Sequence, residues 1–448
     1  MRREGWFGEE KRFGDEEIML DMKAVTRLQT LIIIVVIIIA AVVGGLAYYF
    51  VTRPPTSTRT SITVGWVHSI TGVLAPQTAM FDVYYTQIIN TTNAAGGLYD
   101  PDVGKKLPLK SVVYDDQSVV TNTIALTEKL ITVDKVDLIF PPVSTAFNYA
   151  CFPIYQEYQF PVIATTFGSD IAANEMQNGK LSYCFSVLGL PSQCGEQVLQ
   201  VLQYINTTLD PGHCNSVAVI NDDGQHGVEY GAAIYSALSM VGFCMEYETT
   251  YPSTIADFTP IINTLKADNP DVVVNAGYEG ALFTRQCITE GYNPKLIFNG
   301  PSMECPGLVY NPHIYDFTNT DLVGLMQYDG WPATGYNTPA LAAWAASEAK
   351  LTGMWPFPAA AVFYAALQIL FAAVNKVGLN HVTLRNALAT DTFTTIVGAT
   401  HLVQGSSMEC SLANGTICQW QGQELMQVIW PLSAATAHMI YPKPAWPS

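Results

Sequence analysis

Apolar residues follow three rhythms along this chain. The first is a continuous uncharged run, "LIIIVVIIIAAVVGGLAYYFV", residues 31–51. It is long enough to cross a bilayer as a helix, which takes about 20 residues. It exceeds the roughly 7–15 apolar residues of a cleaved signal, so an uncleaved anchor is expected. The second stretch, residues 52–60, is a Pro/Ser/Thr tether with no apolar periodicity. From Ser61 onward, short apolar runs bounded by turn residues alternate with amphipathic stretches at helical spacing.

Those short runs predict strands at 61–67, 109–114, 136–140, 160–166 and 183–187. Between the first two, Phe81, Tyr84, Tyr85, Ile88 and Ile89 recur at helical spacing, and Gly96–Gly97 ends that helix. Val120, Ile124, Thr127 and Ile131 mark the next helical face. After Pro191 the rhythm restarts, with runs at 216–222, 244–251, 271–277, 295–301 and 322–328. Strand–helix alternation implies α/β architecture with parallel sheets covered on both faces. Two such units predict two doubly wound lobes with a cleft between them. Ligands of open parallel sheets sit beyond the carboxyl ends of the strands, so the loops there are the place to look.

Charge orients the chain. Lys23 and Arg27 precede the apolar run, which places residues 1–30 in the cytoplasm and everything after Val51 outside the cell. The formal net charge is −17, almost all of it beyond Thr30, and such a surface repels nucleic acid. Hydrophobic residues make up 49% and charged ones 13%, which excludes a disordered chain.

All 9 cysteines lie in the outer part, where disulfides persist. Cys410 and Cys418 bracket a turn-rich loop, Cys214 and Cys244 flank one strand–helix unit, and Cys287 with Cys305 is a third candidate pair. Pairing among Cys151, Cys184 and Cys194 stays open. Acceptor sequences for N-glycosylation occur at Asn90, Asn206 and Asn414. No C-x-x-C pair and no i, i+4 histidines occur, so no metal site is expected.

The adjacent carboxylates of "VVYDDQS", Asp115 and Asp116, raise acid/base chemistry or metal binding as a possibility. The alternative is a strand ending in a turn, with short polar residues starting the next helix. No G-x-S-x-G elbow, H-E-x-x-H helix or Gly-rich phosphate loop with lysine accompanies them. An enzyme is therefore not expected, and no cofactor is implied.

"NAAGGL" (93–98), "VVYDDQS" (112–118), "FPVIATT" (160–166), "VINDDGQHGVEYG" (219–231) and "QWQGQELMQVIWP" (419–431), in that order and spacing, resemble the extracellular solute-binding proteins of ABC importers. The nearest group is the leucine/isoleucine/valine-binding, type I periplasmic-binding fold. The resemblance implies two lobes joined by three hinge crossovers, residues 61–189 plus about 325–400 forming lobe I and 190–324 plus about 401–448 lobe II. It implies capture of a small polar solute (amino acid, amide or related compound) and delivery to ABC permease subunits in the membrane. A ligand-sensing receptor or surface interaction domain is the alternative use of this fold. Asp115 and Asp116 become turn and capping residues.

By position, the resemblance implies ligand contacts from Ser144, Thr145, Thr166, Gly168 and Ser169 in lobe I. From lobe II it implies His226, Tyr278 and Ser302. Amino-acid binders of this family set carboxylates against the ligand's ammonium. The corresponding places here are Pro191 and Ser302, with Glu279 and Glu304 nearby in sequence, so an α-amino-acid ligand is an open question.

Overall fold

The strand–helix alternation is realised in a computed structural model that describes residues 32, 34–43, 58–301, 303–329, 338–353, 355–356, 359–406, 408–410, 416–422 and 426–447. The chain forms two units, Met1–Thr58 and Arg59–Ser448. In the first, the helix Ile34–Val43 carries exposed apolar side chains. The rest of the 31–51 run, apart from Ile32, lies outside the described residues.

The second unit contains two α/β lobes. In the first, the parallel strand β1 (Ile62–His68) lies between β2 (Leu109–Asp115) and β3 (Leu138–Ile139), and β4 (Val162–Ala164) pairs with β5 (Cys184–Ser186). Helices α1 (Ala75–Ala94), α2 (Val120–Thr132), α3 (Thr145–Glu157) and α4 (Asp170–Gln177) separate these strands. The second lobe begins with α5 (Pro191–Tyr204) and carries β6 (Ser216–Asp222), α6 (Gln225–Ser239), β7 (Cys244–Tyr251), α7 (Thr259–Asp268), β8 (Val272–Asn275), α8 (Gly280–Thr289), β9 (Leu296–Asn299) and β10 (Met326–Asp329). The chain then returns to the first lobe with α9 (Pro339–Thr352), α10 (Ala360–Val377) and α11 (His381–Thr390). It ends in the second lobe with β11 (Thr416–Gln419) and β12 (Gln427–Trp430), which complete a seven-stranded sheet ordered β12-β11-β10-β9-β8-β6-β7. Strand β10 therefore belongs to the second sheet, although residues from 325 on were expected in lobe I.

Each lobe has cores on both faces of its sheet. Helix α10 is apolar and long enough to cross a membrane, but most of its side chains are buried among β1, α1 and α11, where it serves as a core helix. Asp115 and Asp116 end β2 as loop organisers. Asp115 accepts the N–H groups of Ile70, Thr71 and Gln117 at 3.0, 3.1 and 2.8 Å. Asp116, buried, accepts the hydroxyls of Ser69 (2.6 Å) and Thr123 (2.9 Å). Together they clamp the loop after β1 to the loop after β2.

Two expected disulfides are not made. Cys244 is in register with Ser216 and gives its N–H to the Asn215 carbonyl at 2.8 Å, so Cys214 lies two residues beyond its register partner. Cys214 is buried, while Cys244 faces solvent and its thiol donates to Glu246 at 3.2 Å. The two side chains do not meet. Cys287 is a buried thiol on α8, so it makes no bridge with Cys305. The side chain of Cys410, expected to pair with Cys418, lies outside the described residues, as does Asn414. Asn90 is exposed on α1. The Asn206 amide donates to Asn215 Oδ1 at 2.6 Å.

Candidate functional site

Loops at the carboxyl ends of both sets of strands enclose a cavity of about 80 Å³. On the first-lobe side the chain leaves β3 through Pro141 and Pro142, which supply no N–H and stiffen the turn. Tyr85 gives its phenol proton to the Pro141 carbonyl at 2.9 Å, and the Asn148 amide donates to the carbonyls of Pro142 (2.7 Å) and Ser144 (2.9 Å). Ser144 stands at the N-cap of α3 with φ 86° and ψ 150°, a region that residues with a Cβ seldom occupy. Its N–H is held by Thr166, whose hydroxyl oxygen accepts it at 2.9 Å. The Ser144 hydroxyl makes no cap bond to α3. Ser144, Thr145 and Thr166 all line the cavity, beside the free N–H groups and partial positive charge of a helix N-terminus. That is an arrangement suited to an anionic group.

Asp222, at the end of β6, positions the second-lobe side. It is buried and accepts the N–H of Gly224 at 2.7 Å and of Tyr278 at 3.1 Å, tying the loops after β6 and β8 together. Burial raises its carboxyl above the usual range. Gly277 has to be glycine here, since a Cβ would meet Asp222 Oδ2 at 2.8 Å and the Tyr251 hydroxyl at 2.1 Å. Tyr278 then faces the cavity. Burial pushes its phenol up, and the nearby Asp222 carboxylate pushes the same way.

A wall of rings completes this side. His226 stacks on Tyr230 with centroids 4.0 Å apart, Tyr230 on Tyr328 at 5.7 Å, and Tyr278 tilts against His226 at 5.0 Å. Burial pushes the His226 imidazole down to about 3, so it is neutral at physiological pH. His226 Nε2, Gln327 Oε1 and the Tyr328 hydroxyl are buried with no hydrogen-bond partner among the described residues, and all three residues line the cavity. Such atoms are costly to leave unmade and mark where a ligand's polar groups fit.

Five of the eight sequence-derived site residues thus come to one cavity: Ser144, Thr145, Thr166, His226 and Tyr278. Gly168 and Ser169 do not line it. Gly168 lets Tyr230 approach, since a Cβ would meet the Tyr230 hydroxyl at 2.1 Å. Ser169 caps α4, accepting the Ala172 N–H at 3.2 Å. Ser302 lies outside the described residues. Sequence reasoning missed Phe81, Phe363, Gln327 and Tyr328, which also line the cavity, and left Glu304 uncommitted. Glu304 does line it, whereas Glu279 stands behind, its carboxyl pushed up to about 8 by burial and by Asp222. Among the described residues no lysine or arginine lines the cavity, and no cluster suits a metal.

The periplasmic binding protein family profile matches residues 61–407. Among solved structures, the leucine-binding protein LivK of Thermotoga maritima is similar at 17% identity and TM-score 0.67, covering 82% of this chain and 97% of its own. LivJ of Streptococcus pneumoniae, solved with isoleucine, matches at 17% identity and TM-score 0.67, covering 85% of this chain and 100% of its own. A solute-binding protein of Rhodopseudomonas palustris, solved with benzoate, matches at 16% identity and TM-score 0.66, covering 87% of this chain and 98% of its own. With two α/β lobes, a cleft lined from both and a match over most of its length, the chain belongs to the periplasmic binding protein family: it has the type I solute-binding fold and is not an enzyme.

Proposed function

We propose that this protein captures a small solute bearing both an acidic and an amino group on an apolar body, and passes it to an ABC importer from an extracellular, membrane-anchored position. The observation that carries this reading is the division of polar groups across the cavity. Ser144, Thr145 and Thr166 offer hydroxyls at the N-terminus of α3, suited to a carboxylate, and Glu304 with Gln327 offers acceptors on the other side, suited to an ammonium. Glu304 supplies the counter-charge that Pro191 and Ser302 lack. Phe81 and Phe363 line the same cavity and suit the apolar part. Neighbours of this fold solved with isoleucine and with benzoate support a ligand of that size, as does a cavity with room for several waters.

Thermal shift of the full chain in detergent, screened with amino acids, amides, urea, short peptides and aromatic acids, tests the reading. A ligand of the folded state raises stability by about 2.7 kcal/mol at a hundredfold excess over Kd. Amino acids with large apolar side chains should respond most. Tyr278→Ala and Thr166→Ala should each weaken that binding by at least about 1 kcal/mol. Silence from every amino acid and aromatic acid sinks the proposal. The exposed apolar helix Ile34–Val43 within the uncharged 31–51 run supports the anchor. Protease added to intact cells should then remove the binding domain, and cutting only after lysis refutes that topology.

A further inference from the structure

We infer that Glu229, which does not line the cavity, is a positioning residue that sets ligand affinity by latching the two lobes together. The inference rests on the solute-binding reading for its effect on affinity, but not for the latch itself. Glu229 lies on α6, in the second lobe. Its carboxylate reaches across to the start of α4 in the first lobe, where the buried Ser169 hydroxyl donates to Oε1 at 2.8 Å and Oε2 at 3.0 Å. The Ile171 N–H adds a longer bond to Oε2 at 3.4 Å. One turn back on α6, Gln225 Nε2 donates to Oε1 at 2.9 Å and holds the carboxylate in place.

The contact is reciprocal. Asp170, next to Ser169 in the first lobe, accepts the N–H (2.9 Å) and hydroxyl (2.8 Å) of Ser192, in the first turn of α5 at the start of the second lobe. Each lobe thus places a carboxylate at the N-terminus of a helix of the other, where the free N–H groups and helix dipole favour negative charge. Between the two caps, the Tyr230 phenol donates to the Gly189 carbonyl at 2.9 Å, through the gap that Gly168 leaves. Bonds of this kind exist only while the lobes are together. A ligand that binds the closed form gains apparent affinity in proportion to the closed fraction, so the latch multiplies affinity without a ligand contact.

The test measures closure directly. Cys244 is exposed on the second lobe and Val133 is exposed on the first, so Val133→Cys with native Cys244 gives a spin-label pair across the lobes of the full chain. In the absence of ligand, Glu229→Gln and Glu229→Ala should broaden the interlobe distance distribution relative to the parent, the alanine variant more. Ser169→Ala should do the same, and adding it to Glu229→Ala should change little further, because both remove one bond network. In the binding arm, with L-isoleucine and benzoate as probes, Kd should rise about tenfold in Glu229→Ala through faster dissociation. Melting temperatures identify any variant that is merely misfolded, and Glu229→Gln keeps the side-chain shape if the alanine variant fails to fold. If Glu229→Gln and Ser169→Ala keep the parent's distance distribution, the latch is refuted. If neither probe binds the parent, the solute reading is what suffers, and the distances still decide the latch.

Discussion

Ser144 gives its backbone N–H to the Thr166 hydroxyl oxygen at 2.9 Å, and that bond holds a serine in a backbone conformation that suits glycine. The consequence is a trade between stability and binding. Ser144→Gly is expected to raise stability by about 1 kcal/mol, because the strain disappears. The same variant loses a hydroxyl from the cavity and should bind more weakly. Thr166→Val keeps the shape but removes the acceptor, so it should lower both. Denaturation curves and titration calorimetry on the two variants separate these effects. A serine that is more stable than glycine at 144 refutes the strain.

His226 sets a pH dependence. Its folded-state value of about 3 lies below the ordinary histidine value of 6.5. As pH falls from 6.5 toward 3, the unfolded chain takes up a proton that the folded imidazole refuses, so stability drops by up to about 1.4 kcal/mol per pH unit. His226→Phe keeps the stack on Tyr230 and removes the titration. Its urea midpoint should fall less than the parent's between pH 6.5 and 4. Parallel profiles contradict the burial of a neutral ring.

Glu279 has the opposite sign. Its carboxyl titrates at about 8 when folded against 4.5 ordinarily, first because it is buried and then because Asp222 is near. Between those values the folded protein holds a proton that the unfolded chain releases, so stability falls as pH rises through the window. Glu279→Gln should therefore be more stable than the parent by at least about 1 kcal/mol at pH 8 and nearly equal to it at pH 4. Equal gains at both pH values remove the titration as the cause.

Gly168, like Gly277, has no room for a side chain. A methyl group there meets the Tyr230 hydroxyl at 2.1 Å and the Gly189 carbonyl at 2.7 Å. Gly168→Ala is expected to cost about 1–3 kcal/mol by forcing Tyr230 aside, which also breaks its bond to Gly189. Chemical denaturation should show the loss, and Tyr230→Phe in the same background should recover part of it.

Much of this was legible in the sequence because it is local. Apolar runs such as "SITVGWV" and "SVAVIND" became strands, and the residues that follow strands, including Ser144, Thr166 and Tyr278, had to gather at their carboxyl ends. What stayed hidden depends on direction and distance. Phe81 belongs to a helical stripe that reads as core, yet it also faces the cavity. Phe363 lies on α10, which is buried nearly all round and so gives no facial pattern. Ser169 has a hydroxyl that suits a cap as well as a ligand, and the cap prevails because α4 begins there. Cys214 and Cys244 flank one unit as expected, but the register of β6 and β7 turns them apart.

The core of the first lobe joins residues 62–187 to residues 341–408, with α10 at its centre, while strands β6 to β9 of the second lobe come from one uninterrupted stretch. That asymmetry fixes an order of assembly. Contacts between neighbours in sequence close at little entropic expense, whereas the first lobe must bring together segments separated by an entire lobe. The lobe whose chain is synthesised first therefore waits for the whole of residues 191–329 before its core can close, while the second lobe already has β6 to β9 and lacks only the strands β10 to β12 at one end of its sheet. Until α10 arrives, one apolar face of the first lobe's sheet stays open to water and to other chains, and such a face is prone to association.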